Sequence, residues 1–396
     1  MPQVVGTGGR TGLRILLIVD HFGSGGAQRQ IVELACGLKR RGHSVEMFAY
    51  FPRRDFFRPR LDAHGIRVHE YDKGPGFSPR VAAALARRIA AGDIDVAVSY
   101  LNSPNIYAEL AKMLVPRVSL VVSERTSYRD DRFFVSAWLR RALHGVADHV
   151  VANSQAQCEW LRRKWWLRHR VSCIYNGLDT GLFAGERAAP PPGAELRLVA
   201  VGRVGPEKNA LNLIRALVLL QRESGHAPQV TWVGEREGGR VGRRYCQRIE
   251  ALLADSPEVR RRWCWLGVES DVPALLRAHD ALIHPSLYEG LPNVVCEALA
   301  AGMPVLVSNV CDHPLLVSEG QRGFLFDPDD PAAIAAAIRR LAALGEAQWM
   351  EFSRNARRYA RENLDVERMI AAYEGLFVQL LAGREGGQRP SRGDYP

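Results

Sequence analysis

The chain repeats one pattern twice: short apolar segments rich in β-branched residues alternate with segments of helical periodicity. The first series predicts strands at 14–20, 44–50, 96–100, 119–124, 149–153 and 171–175. The second predicts strands at 197–202, 229–234, 263–266, 281–284, 304–308 and 323–326. Apolar strands that alternate with helices form parallel sheets covered by helices on both sides. The sequence therefore predicts an α/β protein with two doubly wound, Rossmann-like domains.

The clearest linker lies between the two series, at 186–195, where ERAAPPPGAE contains a Pro triplet followed by Gly. It predicts an N-terminal domain at 13–185 and a C-terminal domain at 196–364. An amphipathic pattern predicts a last helix at 365–382, and the polar ends at 1–12 and 383–396 are expected to be disordered. If the two domains face each other, the carboxyl ends of both sheets border a central cleft, where open α/β sheets bind ligands.

The charge of the chain is concentrated in its N-terminal half. Residues 1–190 hold 28 Lys and Arg against 17 Asp and Glu, whereas residues 191–396 hold 25 against 26. A basic half indicates either an anionic partner or simply solubilising arginines on helix faces. The seven cysteines form no C-x-x-C motif, which indicates a reducing compartment without a structural metal. We expect a cytoplasmic protein, because neither a secretory signal nor an apolar run of membrane-spanning length is visible.

The stretch at 285–304, PSLYEGLPNVVCEALAAGMP, contains two glutamates whose spacing argues against a close catalytic pair. Pro292 suits the start of a helix, so Glu289 is predicted in the preceding loop and Glu297 about a turn and a half inside the helix. The free backbone N–H groups of the helix start lie between them and favour an anion. The stretch therefore places an anion site between two carboxylates. This order suits a nucleotide-sugar, in which phosphates lie between the hydroxyls of the sugar and those of the ribose.

In each series, a glycine-containing turn follows the first strand. The backbone of such a turn can approach a phosphate closely. The first contains Gly25 and Gly26, and it has no G-x-G-x-x-G pattern; a tight turn that binds nothing is the other interpretation. The second, GRVGPEKN, contains Arg203 and Lys208, which suit a diphosphate. Lys208 is also compatible with a surface ion pair. The absence of G-x-x-x-x-G-K-[ST] argues against a nucleoside triphosphatase.

Four motifs carry a specific resemblance: GSGGAQR, IYNGLD at 174–179, GRVGPEKN and PSLYEGLPNVVCEALAAGMPV. In their order and spacing, from about residue 13 to 381, the chain resembles a retaining family 4 glycosyltransferase of the GT-B fold. The resemblance implies two Rossmann-like domains around a cleft, with the C-terminal helix crossing back to the first domain. It also implies retention at the anomeric carbon, a nucleotide-sugar donor with uridine favoured as the base, no cofactor and no metal requirement.

The resemblance implies a role for each matching residue. Arg203 and Lys208 would hold the donor diphosphate, and Glu289 would contact hydroxyls of the transferred sugar; these three are the predicted catalytic residues. Glu297 would bind the ribose. The other donor-binding residues implied are Gly25, Gly26, Val268, Leu291, Asn293 and Val294.

The acceptor side departs from the family pattern. Many members carry a histidine after the fourth strand of the first domain, where this chain has SERT. This segment is similar to a variant found in members that build lipid-linked oligosaccharides and surface polysaccharides. Glu124 and Arg125 are therefore candidates for the acceptor or donor-sugar pocket, and a buried ion pair that holds the domain face is the other interpretation.

Segments 133–144 and 160–170 mix aromatic residues with arginines in the basic half. Such segments can lie at an anionic membrane interface, or they can bury their tryptophans in an ordinary helix. We expect peripheral contact with the inner face of the cytoplasmic membrane and a lipid-linked or glycan acceptor. Two other functions are the alternatives: a GT-B enzyme that is not a transferase, such as a nucleotide-sugar epimerase, and a nucleic-acid binder. No nucleic-acid-reading motif is present, so no nucleic-acid partner is expected.

Overall fold

A computed structural model describes residues 5–6, 10–125, 141–185, 187–191 and 193–385. They divide into two compact units. The first contains the residues up to Gly177 together with those from Val366 onward, and the second is Leu178–Asp365. The change between units thus lies upstream of the predicted linker at 186–195.

The first unit contains a parallel sheet of seven strands in the order β5-β4-β3-β6-β7-β8-β9. A separate antiparallel pair, β1 (Val5–Gly6) and β2 (Arg10–Thr11), precedes it. The sheet strands are β3 (Arg14–Val19), β4 (Ser44–Ala49), β5 (Arg67–Glu70), β6 (Val96–Tyr100), β7 (Ser119–Glu124), β8 (His149–Ala152) and β9 (Val171–Cys173). The described helices are α1 (Gly26–Arg40), α2 (Arg58–Ala63), α3 (Pro79–Gly92), α4 (Asn102–Leu114) and α5 (Gln155–Arg162).

The second unit contains a parallel sheet of six strands in the order β12-β11-β10-β13-β14-β15. Its strands are β10 (Arg197–Val201), β11 (Gln229–Val233), β12 (Trp263–Gly267), β13 (Ala281–His284), β14 (Val305–Ser308) and β15 (Gly323–Phe326). Its helices are α6 (Ala210–Ser224), α7 (Gly239–Ala254), α8 (Pro257–Arg262), α9 (Val272–Arg277), α10 (Asn293–Ala300), α11 (His313–Val317), α12 (Pro331–Ala342) and α13 (Glu346–Asn363). Both units are doubly wound, as predicted.

The strands are apolar on both faces because helices cover both sides of each sheet. In β3 of the first unit, Ile15 and Leu17 pack into one buried cluster, and Leu16 and Ile18 pack into another on the opposite face. This alternation is the period of two that a strand imposes on its side chains.

The last helix, α14 (Val366–Glu385), packs on the first unit, as expected from the resemblance. Its buried side chains include Ile370 and Tyr373. Gly37 of α1 permits the close approach, because a Cβ there would lie 2.0 Å from Cδ1 of Ile370. The hydroxyls of Tyr373 and Tyr100 are 3.0 Å apart, which joins this helix to the end of β6.

Candidate functional site

The predicted phosphate and sugar residues lie at the carboxyl ends of two neighbouring strands in the second unit. Lys208 ends the turn that follows β10, and Glu289 lies in the loop that follows β13. β10 pairs with β11 on one side and with β13 on the other. The chain order of the sheet therefore reverses at β10, and such a switch point opens a crevice for ligands in doubly wound sheets.

Lys208 and Glu289 form an ion pair at this edge, and His284 Nε2 lies 2.9 Å from the same Oε1 atom of Glu289. Burial by itself would raise the pKa of Glu289. The positive charge of Lys208 and the hydrogen bond to His284 outweigh it and hold the pKa of Glu289 well below its usual range. Glu289 is therefore an anchored carboxylate, able to accept hydrogen bonds from hydroxyl groups.

A buried polar network supports Glu289 from behind. Ser286 Oγ lies 3.1 Å from His284 Nε2, and Ser308 Oγ donates to the Ser286 carbonyl at 2.6 Å. His313 Nδ1 lies 2.7 Å from the Ser308 carbonyl oxygen, so this nitrogen carries the proton. Burial lowers the pKa of His284 despite the nearby Glu289, and burial together with His284 lowers the pKa of His313 to about 4. Both imidazoles are therefore neutral at pH 7.

Backbone geometry fixes the turn that carries Lys208. Asn209 adopts a left-handed conformation with φ of 60°. Its Nδ2 donates to the carbonyls of Pro285 and Pro328, at 3.1 and 2.7 Å. The Leu287 N–H donates to the Glu207 carbonyl at 2.8 Å. Side chain and main chain thus tie the Lys208 turn to the Glu289 loop.

Helix α10 begins as the sequence predicts. Pro292 precedes its first residue, Asn293, and has an extended backbone. Glu289 therefore lies in the loop, and Glu297 lies inside the helix with its side chain buried. Leu291 and Val294 are buried on either side of the helix start.

Two other predicted donor residues are solvent-exposed. Arg203 exposes 61% of its side chain, and its Nη2 lies 3.7 Å from the carboxylate of Glu207. Val268 is 70% exposed and follows Gly267, whose carbonyl accepts from the Gly234 N–H at 2.6 Å. Both are thus accessible to a ligand at the carboxyl edge of the sheet.

Gly25 and Gly26 lie at the start of α1 in the first unit, where Gly25 is the residue before the helix. A Cβ on Gly25 would lie 2.2 Å from Oε1 of Gln28. Gln28 Nε2 donates to Asp20 at 2.9 Å, so this side chain closes the turn from within. A side chain at position 25 would therefore require the Gln28 amide to shift.

Glu124 takes part in a buried ion-pair triad that the sequence did not reveal. His144 Nε2 lies 3.0 Å from Glu124, and His144 Nδ1 contacts Glu109. Burial alone would lower the pKa of His144, but the two carboxylates raise it to about 10. His144 is therefore a buried imidazolium. The interpretation of Glu124 as part of a buried ion pair fits the structure, although its partner is His144 and not Arg125.

Arg125 lies beside this triad and binds the surrounding elements. Its guanidinium stacks over the Tyr100 ring at 3.7 Å and donates to Ser123 Oγ at 3.1 Å. It also contacts Asn176 and reaches the Tyr373 hydroxyl at 3.3 Å. Arg125 thus links the end of β7 to helix α14.

Of the two basic aromatic segments, most of 133–144 lies outside the described residues. In 160–170, Trp160 is half-buried between Arg141 and Lys164, which lie 4.2 and 4.5 Å from its ring centre. Trp166 donates to the Arg141 carbonyl, and Trp165 is 82% exposed. Among the described helices, none has the length and apolarity needed to cross a membrane.

Two family models match the chain one after the other. The model described as Glycosyltransferase Family 4 matches residues 24–182, and the model described as Glycosyl transferases group 1 matches residues 186–363. Together they take in both predicted domains and leave out the two ends of the chain.

Curated relatives match part of the chain. One is the UDP-Gal:alpha-D-GlcNAc-diphosphoundecaprenol alpha-1,3-galactosyltransferase of Escherichia coli, 25% identical over 223 residues, which cover 54% of this chain and 56% of the relative. The D-inositol 3-phosphate glycosyltransferase of Streptomyces avermitilis is 32% identical over 210 residues, 50% of this chain and 45% of the relative. The chain spans about half the length of the curated relatives it matches.

Solved structures resemble nearly the whole chain. The Anabaena protein HepE in complex with UDP and glucose aligns with a TM-score of 0.77 at 20% identity, covering 92% of this chain and 99% of its own. A glycosyltransferase from Rickettsia africae aligns with a TM-score of 0.78 at 19% identity, covering 94% and 99%. At these identities the likeness concerns the fold, a two-domain α/β architecture of the GT-B type.

Proposed function

The chain belongs to the family 4 glycosyltransferases, and from this membership we propose that it transfers a hexose or N-acetylhexosamine from a nucleotide-diphosphate sugar, with retention at the anomeric carbon. The proposed acceptor is a lipid-linked or polysaccharide glycan. The observation that carries the proposal is the ion pair between Lys208 and Glu289, which joins the two most specific motifs at the switch point of the second sheet.

In the proposed complex, Lys208 and Arg203 hold the donor diphosphate, and Glu289 accepts hydrogen bonds from the sugar. The diphosphate would replace Glu289 as the partner of Lys208. Glu289 would not be left unpaired, because His284 stays within hydrogen-bond distance at 2.9 Å. The ion pair thus holds the Lys208 ammonium and the Glu289 carboxylate close together, where one nucleotide-sugar would contact both.

The remaining donor contacts follow from helix α10. We propose that the backbone N–H groups of Leu291, Asn293 and Val294 surround the sugar and phosphate, and that Glu297 binds the ribose. In the same proposal the nucleotide base rests against Val268, and Gly25 and Gly26 approach the diphosphate or its sugar. These roles agree with the partial positive charge at a helix start, which favours an anion.

The proposed reaction forms a bond between an acceptor hydroxyl oxygen and the anomeric carbon while the bond from that carbon to the diphosphate oxygen breaks. The departing oxygen takes the acceptor proton, so no separate general base is needed. Positive charge at Lys208 and Arg203 would stabilise the negative charge that develops on the leaving group. Metal independence is part of this proposal, because the two cations perform that neutralisation.

The name of one relative supports uridine and a lipid-linked acceptor, and the name of another supports a polysaccharide acceptor. The Escherichia coli relative is named for UDP-Gal and a diphosphoundecaprenol acceptor, and another Escherichia coli relative is named O-antigen chain mannosyltransferase B. Glu124 and Arg125 remain the proposed acceptor-side residues. Peripheral contact with an anionic membrane is supported by the exposed Trp165 in the arginine-rich segment.

A donor screen tests the proposal. The full chain is incubated with a panel of nucleotide-sugars, with membrane extract as acceptor and EDTA in excess, and nucleotide release is measured. We expect release with one class of UDP-sugar, dependent on the acceptor and insensitive to EDTA. Isomerisation of the donor without acceptor would instead favour an epimerase, and stabilisation by oligonucleotides but by no nucleoside diphosphate would favour a nucleic-acid binder.

A further inference from the structure

A second concave region in the second unit lies between helices α6 and α7, with a cavity volume of about 500 Å³. Four arginines line it, which we call the arginine pocket: Arg215, Arg240, Arg244 and Arg248. Its apolar lining includes Leu211, Tyr245 and Leu287. Cavities of this size and mixed character are typical of small-molecule sites.

Three of these arginines form a row on one face of α7. Positions 240, 244 and 248 are one helical turn apart, so the row extends about 12 Å along the helix. Arg215 approaches the same cavity from α6. Like charges at this spacing repel one another and destabilise the helix unless something compensates them.

Carboxylates do not compensate this row. Among the described residues, none places a carboxylate within ion-pair distance of Arg240, Arg244 or Arg248, whereas Arg236 and Arg260 nearby share Glu250 at 2.8 Å each. Asp329 is the acidic residue in the lining. The excess positive charge is local, because residues 191–396 as a whole hold 25 basic and 26 acidic residues.

The two helices that carry the arginines are held in fixed positions. The Leu211 N–H at the start of α6 donates to the Tyr245 hydroxyl of α7 at 3.2 Å. Asn212 donates to the Pro328 carbonyl at 2.9 Å, and Arg215 donates to Asn212 Oδ1 at 2.9 Å. Helices α6 and α7 are therefore held together at this point, and the four arginines extend from them as exposed side chains.

We propose that the arginine pocket binds a phosphate-bearing small molecule, such as a sugar phosphate or a short polyphosphate. Several guanidinium groups facing one cavity match the charge and the fork geometry of phosphate oxygens. The length of the row suits two phosphate groups separated by a sugar. A concave site with an apolar floor fits a compact ligand better than a flat membrane surface does. The site is distinct from the donor residues, although Pro206 and Leu287 in its wall belong to the same turn and loop.

Isothermal titration of the full chain with a hexose bisphosphate and, separately, with inorganic pyrophosphate tests the proposal at about 50 mM salt, where screening is limited. We expect saturable binding that weakens at least tenfold in the double variant Arg244→Ala/Arg248→Ala. Arg243→Ala is the matched control, because Arg243 is exposed on the same helix and outside the lining. It should change the dissociation constant less than twofold. Unchanged melting temperatures, or the same result with Arg244→Gln/Arg248→Gln, show that folding is retained.

Lys208→Ala separates this site from the proposed donor site, and it should leave binding of the probes to the arginine pocket intact. Loss of all binding in Lys208→Ala would mean that the probes occupy the donor site, and the proposal would be wrong. If Arg243→Ala weakened probe binding as much as the double variant does, the effect would come from the net charge of the protein, and the proposal would be wrong. If neither soluble probe binds but anionic vesicles bind through Arg244 and Arg248, a membrane contact replaces the small-molecule site. Failure of the donor screen, by contrast, leaves this proposal standing.

Discussion

The Lys208 ammonium and the Glu289 carboxylate meet across 81 residues of sequence and join the turn after β10 to the loop after β13. The same carboxylate oxygen lies 2.9 Å from His284, so Glu289 has two partners on one atom. A ligand can therefore displace Lys208 without leaving a buried carboxylate unpaired, which would otherwise be costly.

Removal of the positive charges is the most direct test of the proposed donor site. We expect Lys208→Ala and Arg203→Ala each to lower kcat/KM for transfer by about 10²- to 10³-fold, because each removes a group that stabilises leaving-group charge. Circular dichroism should show retained folding. Arg222→Ala, an exposed position at the end of α6, is the control. Near-normal turnover in both alanine variants would contradict the assignment.

Substitutions of Glu289 and Glu297 should weaken contacts with different parts of the donor. Glu289→Gln removes the proposed sugar contact, so we expect about tenfold weaker binding of the nucleotide-sugar and little change for the nucleoside diphosphate. Glu297→Gln removes the proposed ribose contact and should weaken binding of both ligands by a similar factor. Calorimetry with each ligand on each variant measures the difference. Identical effects of the two substitutions on both ligands would contradict the proposed order along the donor.

The sequence predicted the strands well because each is a short apolar run with turn residues at its ends. It missed the short pair β1 and β2, which lies in the segment expected to be disordered. It also missed β5 (Arg67–Glu70), an edge strand with two charged residues and with side chains that are only partly buried or exposed. It also placed Glu289 before α10 and Glu297 inside it, because Pro292 marks the start of the helix. The predicted strands and the start of α10 depend on residues that are neighbours in the chain, so the sequence alone reveals them.

The supporting network could not be predicted, because it depends on the order of strands in the sheet. His284 ends an apolar strand and His313 begins a short helix, and only the pairing of β13 with β14 brings them together. The triad around His144 likewise joins residues from three separate elements. The unit boundary at Gly177 has no compositional signal. Only the structure shows that Gly177 packs against the start of α14, where a Cβ on Gly177 would lie 2.8 Å from Cα of Val366.

His313 predicts an acid-dependent loss of stability in the second unit. Its pKa is lowered to about 4 by burial and by His284, below the ordinary value of 6.5. The unfolded chain therefore takes up a proton first. Neutral His313 therefore costs the folded state nothing above pH 6.5. As the pH falls from 6.5 toward 4, the free energy of unfolding decreases by up to about 3 kcal/mol.

Melting temperatures of wild type and His313→Gln between pH 7 and 4 test this dependence. The variant should fall less steeply, because its amide does not titrate, while His226→Gln at an exposed position should follow wild type. His149 in the first unit has its pKa lowered to about 3 and contributes equally to both proteins, so the difference between them is the informative quantity. Parallel curves would contradict the prediction.

His144 predicts the opposite dependence in the first unit. Glu109 and Glu124 overcome the effect of burial and raise its pKa to about 10. The stabilisation is complete below pH 6.5 and is lost as the pH rises toward 10. We expect His144→Gln to lower the free energy of unfolding by about 3–5 kcal/mol at pH 7, because two buried carboxylates lose their positive partner.

Urea denaturation with Glu109→Gln added to His144→Gln checks the cause of that loss. The second substitution removes one of the unpaired charges and should restore part of the stability, although Glu109→Gln alone should be destabilising. Purely additive losses in this cycle would show that the charges are not coupled.

The proposed membrane contact would centre on Trp165, which is 82% exposed and shares a surface cavity with Arg162, Arg163 and Arg168. A tryptophan side chain is favoured at the level of the lipid headgroups, and arginines beside it can bind anionic lipid. We expect the protein to float with anionic liposomes at low salt and Trp165→Ala to weaken this binding about fivefold or more. Phe56→Ala, at another exposed aromatic of the first unit, should have little effect. Because Trp160 and Trp166 are half-buried, the loss should be specific to position 165; no flotation of the wild type would rule the contact out.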